Sequence, residues 1–333
     1  MIWDILMLFG SFLLIMASCE FFTNGIEWFG KKLRVGEGVV GSIFAAVGTA
    51  LPESSVSIAA IVKGTESGHK IGMGAILGAP FMLSTLAFFV CGLSATVLHL
   101  MKRRKMEMLV DHRVVGKDIR YFILIYLFAA LSPTFEHFYV IRHLVAIALV
   151  LLYLDYMRRM FSESGGMMGE LHPLHLDRAR NEPRMWRVVV QVLVSLCGIA
   201  IGARYFVNSV EDISMLMGVS PMILSIIIAP IATELPEKMN SIIWIARGKD
   251  TLALGNITGA MTFQGSLLVA IGIWFTSWDI GMTGMVTISI ALLSSSLVLI
   301  SIRRRGYLSP WALLMGGGFY LLFVLYLVAS GVI

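Results

Sequence analysis

Two glutamates follow prolines inside long apolar stretches of this chain. They are Glu53, in Thr49-Ala50-Leu51-Pro52-Glu53, and Glu237, in Thr233-Glu234-Leu235-Pro236-Glu237. A carboxylate within a bilayer is costly and marks an ion or substrate pathway. Each proline lacks the N–H of the helix ladder, so carbonyls about one turn earlier, near Thr49 and Thr233, are freed. Facing lipid, such oxygens are expensive; lining a cavity, they become ligands. Two carboxylates with carbonyl and hydroxyl oxygens, and neither His nor Cys, suit a hard cation such as Ca²⁺ rather than Zn²⁺ or copper. Mg²⁺ or Mn²⁺ would use the same ligands. Two negative charges are balanced by one divalent ion, by monovalent ions or by protons, and mutually exclusive occupancy of one such site is enough for antiport.

The two stretches are copies. Glu237 lies 237 − 53 = 184 residues after Glu53, and that register holds without a gap from Phe22 to Gly64. It places Asn24 on Asn208, Glu27 on Glu211, Thr49 on Thr233, Ser57 on Ser241 and Gly64 on Gly248. Matching carboxylates in a duplicated apolar chain are the pattern of a transporter whose site lies between its halves. Further candidates surround the glutamates. Ser57 and Ser241 lie one turn beyond them and are site or helix-packing hydroxyls; Asn256 and Gln264 are second-tier ligands on a later Gly-spaced run. Glu234 and Lys238 stand four apart in the favourable order for a helix ion pair. Lys238 either neutralises Glu234, the simpler reading, or acts as a tethered cation in place of one coupling ion.

These residues need bilayer-spanning helices to hold them. The chain has 333 residues, of which 57% are apolar and 14% charged, and its mean hydropathy is +0.83. That excludes an ordinary soluble protein. Apolar runs give ten spans, near residues 3–29, 37–62, 71–100, 119–133, 138–157, 186–210, 219–246, 251–277, 282–302 and 309–332. Alternate connections carry 21 and 3 of the 26 Lys and Arg residues, with Arg204 and Lys238 inside spans. The rich side is expected to be cytoplasmic and both termini outside, in the plasma membrane. The charge of +5 is therefore a topology signal, and no nucleic-acid partner is expected. Residues 1–160 and 185–333 form two five-span repeats joined by a cytoplasmic linker, 161–184. An odd number of spans in each makes the repeats inverted. The expected fold is all-α and integral to the membrane. The first span lacks the basic start of a cleavable signal.

The Gly-spaced runs Gly72-Met73-Gly74-Ala75-Ile76-Leu77-Gly78-Ala79-Pro80 and Leu254-Gly255-Asn256-Ile257-Thr258-Gly259-Ala260-Met261 are expected to pack closely against the Pro-Glu helices. Glu20 and Arg204 are expected to snorkel or to pair between helices, and Asn24 and Asn208 to bond across helices rather than bind ions. The linker's Glu170, His172, His175 and Asp177 read as a solvated cluster.

With these residues in view, the chain resembles the calcium/cation antiporter superfamily, nearest its prokaryotic sodium/calcium exchanger branch. The carriers are Gly48-Thr49-Ala50-Leu51-Pro52-Glu53, Ala232-Thr233-Glu234-Leu235-Pro236-Glu237 and Gly255-Asn256-Ile257-Thr258-Gly259. The resemblance implies that Glu53 and Glu237 are the central divalent-ion ligands, that Thr49 and Thr233 add carbonyl oxygen, and that the first and sixth spans slide during alternating access. It implies no cofactor and no enzymatic activity; the ions moved are Ca²⁺, or another divalent, and Na⁺ or H⁺. Ala50 and Glu234 stand where the family has Ser, and Ala79-Pro80 and Ala260-Met261 replace polar residues that hold sodium. Those losses favour protons or fewer sodium ions.

The leading expectation is thus a Ca²⁺ antiporter coupled to Na⁺, with H⁺ coupling as the alternative. An intramembrane enzyme using paired glutamates as acid and base lacks HExxH, GxSxG or a nearby His. A non-transporting sensor or scaffold on the same fold is the third reading. Oligomeric state is not legible.

Overall fold

The computed structural model describes residues 2–32, 50–135, 138–163, 171–178, 182–233, 235–248, 250–305 and 307–331. Within them the chain is helical, with a single isolated bridge between Met108 and Leu308. The helices are α1 (Ile2–Lys32), α2 (Leu51–Val62), α3 (Glu66–Leu100), α4 (Val115–Leu131), α5 (Tyr139–Glu163) and α6 (Met185–Met217). There follow α7a (Pro221–Thr233), α7b (Leu235–Ala246), α8 (Asp250–Phe275), α9 (Gly281–Arg305) and α10 (Pro310–Ala329). Each overlaps an expected span; residues 37–49 of the second lie outside the described residues, α3 starts five residues early, and α5 and α6 run six and seven residues past their expected ends at 157 and 210. Seven of them are long and apolar enough to cross a membrane. Leu6, Phe9, Leu13, Leu193, Val194 and Ile201 on α1 and α6 are exposed, which lipid rather than water accommodates.

Contacts at the ends show which helices point the same way. Lys32 meets Glu182, Arg187 meets Asp177, Arg104 meets Asp250 and Met108 pairs with Leu308; these define the linker face. Lys63 meets Glu211, Arg142 donates to the Ile273 carbonyl and Trp278 to Ser132; these define the far face. Consecutive helices alternate between the two faces, so the first helix begins and the last ends at the far face. Helices α1 to α5 and α6 to α10 therefore run in opposite senses. Gly64 and Gly248, 184 apart, both adopt left-handed backbone, φ +68° and +71°, after α2 and α7b. Only glycine takes that conformation cheaply, which ends both helices at the same repeat position.

Both long helices behind the Pro-Glu segments contain one π-helical turn, Leu83–Ala87 in α3 and Gln264–Leu268 in α8. These starts are 264 − 83 = 181 apart, whereas the helix starts are 250 − 66 = 184 apart. The first copy thus holds three more residues before its wide turn. Such turns occur often at functional sites. In α3, Pro80 withdraws one donor just before the turn. In α8, Gly265 lies within it, and a Cβ there would stand 3.2 Å from the rings of Phe122 and Tyr126 on α4.

Two bodies share the apolar core. Helices α3, α4, α5, α8, α9 and α10 enclose the larger cluster, around Phe88, Phe122, Tyr126 and Ile257. A smaller one joins α1, α2, α3, α6 and α7a through Ile15, Val56, Ile71, Phe206 and Leu224. Helices α1 and α6 are antiparallel and close: a Cβ at Gly198 would lie 2.2 Å from Ser18 Oγ, and one at Gly202 2.7 Å from Ile15. At 31 and 33 residues they extend about 46 and 50 Å at ~1.5 Å per residue, well beyond an apolar layer of ~30 Å. Tilt or protrusion follows.

The linker is built rather than merely solvated. Trp28 Nε1 donates to the His172 carbonyl at 2.9 Å, and Asn24 Nδ2 reaches the His172 and Pro173 carbonyls, each at 3.3 Å. Gln191 Nε2 donates to Asn24 Oδ1 at 3.0 Å, and His175 stacks on Phe21. Residues 171–178 therefore tie α1 to α6. Among the described residues no group of three His, Cys, Asp or Glu could hold a metal. Glu170 lies outside them.

Candidate ion-binding site

Pro52 falls in the first turn of α2, where its missing N–H costs nothing. Glu53 follows, 1% exposed. Helix α2 packs against α3, α6, α7a and the π turn of α8, so this carboxyl sits where elements of both repeats meet. Ser54 Oγ donates to the Ala50 carbonyl at 2.6 Å and Ser57 Oγ to the Glu53 carbonyl at 2.9 Å. Both hydroxyl protons are used within the helix, and both side chains are buried.

In the second repeat, Thr233 is the last residue of α7a, and Glu237 is the third of α7b. The side chains of Thr233 and Glu237 lie outside the described set, as do the residues Thr49 and Glu234. Lys238 is 9% exposed on the same helix. Ser241 Oγ donates to the Ala253 carbonyl at 3.3 Å, joining α7b to α8, so its proton serves helix packing. Asn256 (7% exposed) and Gln264 (1%) are buried on α8. Gln264 opens the π turn, and its Oε1 accepts no hydrogen bond among the described residues.

The Gly-spaced runs behave differently from one another. A Cβ at Gly72 would stand 2.7 Å from Ile61 and 3.2 Å from the Ser57 carbonyl, so α3 does pack against the Pro-Glu helix. At Gly74 a Cβ would meet the Met222 carbonyl at 2.3 Å, so the same run also presses on α7a. Gly255, in contrast, has only Val114 near, at 3.9 Å.

Two buried carboxylates escaped the sequence reading, Asp118 and Asp250, the latter opening α8. Asp118, on α4, is 1% exposed. Its Oδ1 accepts from the Tyr156 hydroxyl at 3.1 Å, and its Oδ2 lies 2.8 Å from Thr258 Oγ1, two residues beyond Asn256. Thr262 Oγ1 reaches its carbonyl at 3.2 Å. The only signal was an acid beside Lys117 at the edge of an apolar run. Asn24 and Asn208 do pair between segments, as expected, and Glu20 lies 3.7 Å from His175.

The sodium/calcium exchanger protein family matches residues 3–161 and 187–332, nearly the whole chain. The chain belongs to that family. Among curated relatives, the putative antiporter CaxA of Alkalimonas amylolytica is 26% identical over 96% of this chain and 98% of its own. Among solved structures, an H⁺/Ca²⁺ exchanger named CAX superposes with a TM-score of 0.76 at 17% identity, over 98% of this chain and 82% of that one. The sodium–calcium exchanger NCX_Mj gives 0.60 at 21%, over 99% of both. The fold is therefore the ten-helix inverted-repeat exchanger fold, and the chain is a multi-pass membrane transporter of the calcium/cation antiporter superfamily, not an enzyme.

Proposed function

We propose that this exchanger moves Ca²⁺, or a similar divalent cation, against Na⁺ by alternating access at one midplane site. Glu53 and Glu237 supply its charge, and the carbonyls of Thr49 and Thr233 complete it. The observation that carries this reading is the burial of Glu53 (1% exposed) at the start of a helix that touches both α7a and the π turn of α8. A carboxylate at that depth is retained where a cation visits it. Gln264 Oε1 is a neutral oxygen suited to the same ion, and Asn256 is a second. Ser57 and Ser241 are left as helix-packing hydroxyls; Lys238 and, four residues before it in the sequence, Glu234 are secondary candidates. Residues 1–160 and 185–333 act as the two repeats, with 161–184 as the cytoplasmic linker, both termini outside and the plasma membrane as location. The transported ions and the bilayer are the partners; no cofactor takes part.

H⁺ coupling is the second reading. It is favoured by Ala50, Pro80, Ala260 and Met261, apolar where sodium would need oxygen. The deciding experiment is uptake of radiolabelled Ca²⁺ by reconstituted proteoliposomes under an outward Na⁺ gradient, then an outward H⁺ gradient. Glu53→Gln and Glu237→Gln serve as controls. Uptake driven by Na⁺ and lost in both variants supports the first reading; uptake driven by H⁺ alone supports the second. Uptake under neither gradient overturns both.

A further inference from the structure

At the far face, Lys63 caps the end of α2 and reaches across to α6. Its Nζ pairs with Glu211 Oε2 and lies 2.9 Å from Asn208 Oδ1. The side chains of Lys63 and Glu211 are 29% and 19% exposed. Asn208 and Glu211 are three apart, on one side of the helix. The pair thus staples the closing end of the Pro-Glu helix to the long α1/α6 body.

The chain encodes this staple twice. Adding 184 to 63 gives Arg247; subtracting 184 from 208 and 211 gives Asn24 and Glu27. Each counterpart keeps its chemistry: a cation, an amide and a carboxylate. Lys63 and Arg247 also hold the same local position, each immediately before its left-handed glycine, Gly64 or Gly248. Because the repeats are inverted, the second set belongs to the linker face.

The two sets are in different states. Helix α2 packs along α6, whereas no comparable packing of α7b on α1 occurs among the described residues. Arg247 is exposed, and among the described residues its side chain makes no ion pair. Asn24 is engaged elsewhere, donating to the His172 and Pro173 carbonyls and accepting from His175 N at 3.0 Å and from Gln191. The linker occupies the amide that the register assigns to Arg247.

We propose that these are two alternating latches. Lys63 with Glu211 and Asn208 closes the far face in the described conformation. Arg247 with Glu27 and Asn24 closes the linker face in the opposite one, after Asn24 has left the linker carbonyls. The proposal rests on the alternating-access reading above, but not on the identity of the ion. It accounts for a cation at each of two symmetric helix ends, one paired and one exposed, and for a linker that grips Asn24 when the second latch is open.

The test measures conformation rather than transport. Spin labels are placed at Val62→Cys and Met215→Cys, both exposed at the far-face ends of α2 and α6, after Cys19, Cys91 and Cys197 are changed to Ser. Their distance distribution is read by electron–electron double resonance in lipid nanodiscs. Lys63→Gln is expected to raise the long-distance population several-fold. Adding Arg247→Gln to that variant is expected to reverse a large part of the rise, because the opposite state loses its own latch. The exchange Lys63→Glu with Glu211→Lys should return the distribution towards that of the parent. No rise with Lys63→Gln, or a further rise on adding Arg247→Gln, overturns the proposal. A residue that only stabilised the fold would not give effects of opposite sign. Loss of Ca²⁺ uptake in the parent with the distance shifts intact would sink the calcium reading and leave the latches standing.

Discussion

Asp118 and Thr258 share a single hydroxyl proton that a third atom also competes for. Thr258 Oγ1 lies 2.8 Å from Asp118 Oδ2 and 3.0 Å from the Leu254 carbonyl. This contact fixes α4 to the middle of α8, two residues from Asn256, while Tyr156 brings in α5. Asp118→Ala leaves the buried Tyr156 hydroxyl without its acceptor, while Thr258 keeps the Leu254 carbonyl, and should cost about 1–3 kcal/mol. Asp118→Asn keeps an acceptor for Tyr156 and supplies a donor for Thr258, so it should cost under about 1 kcal/mol. Thermal unfolding midpoints in one detergent check the order; an Asn variant as weak as the Ala variant would show that the charge itself matters.

Arg104 makes a different kind of tie. Its two terminal nitrogens meet both oxygens of Asp250, at 2.8 and 2.7 Å, and the Leu109 amide donates to the same carboxylate at 3.0 Å. Asp250 is 3% exposed, so Arg104→Ala strands a buried charge at the start of α8. The expected loss is about 3–5 kcal/mol. Lys70→Ala, which breaks the exposed pair with Glu66 one helical turn away, should change stability by less than about 0.5 kcal/mol. Heat-induced aggregation of the two variants measured side by side separates them; equal midpoints would contradict the difference in burial.

The glycines of the two Gly-spaced runs should respond unequally. Gly74→Ala forces a methyl to within 2.3 Å of the Met222 carbonyl, a backbone atom that cannot rotate away, and overpacking of this kind costs about 1–3 kcal/mol. Gly255→Ala meets only Val114 at 3.9 Å and should be neutral or slightly stabilising, since alanine favours helix. Yield of monodisperse protein after purification reads the contrast. Loss of both variants alike would mean that α8 is tighter than it is here.

What the sequence could disclose follows from how each feature is encoded. The ten spans and their inversion were legible because apolar length and loop charge are local, additive signals. Gly64 and Gly248 were legible as a matched pair of the repeat, and the left-handed backbone that makes them helix ends came from the structure. The π turns were not legible: Leu83–Ala87 and Gln264–Leu268 share only a hydroxyl residue followed by leucine, Thr85-Leu86 and Ser266-Leu267, and a change of register from 184 to 181 hides inside helix. Asp118 was missed because a carboxylate beside Lys117 reads as loop until α5 and α8 surround it. The linker cluster was misread for the converse reason, since His172 binds α1 through its backbone carbonyl, which any residue would provide. Most side chains of the second Pro-Glu segment lie outside the described residues, so Glu237 and Thr233 rest on the duplication.

Lys238 supplies the last test, because its burial (9% exposed) separates the two roles open to it. An ammonium taken out of water needs compensating charge, and Glu234 is four residues before it. If Lys238 neutralises Glu234, removing the lysine alone strands a carboxylate. Lys238→Met should then lower the thermal midpoint, and Lys238→Met with Glu234→Gln should recover it, since neither charge remains. The number of ions coupled to each Ca²⁺, taken from the reversal condition of flux in proteoliposomes, should match the parent in the double variant. A tethered cation behaves otherwise: with the lysine gone, one further coupling charge is needed to balance Glu53 and Glu237, and the reversal condition moves by one charge. An unchanged reversal condition together with stability recovered in the double variant is the expected result. A shifted reversal condition would instead make Lys238 part of the coupling machinery.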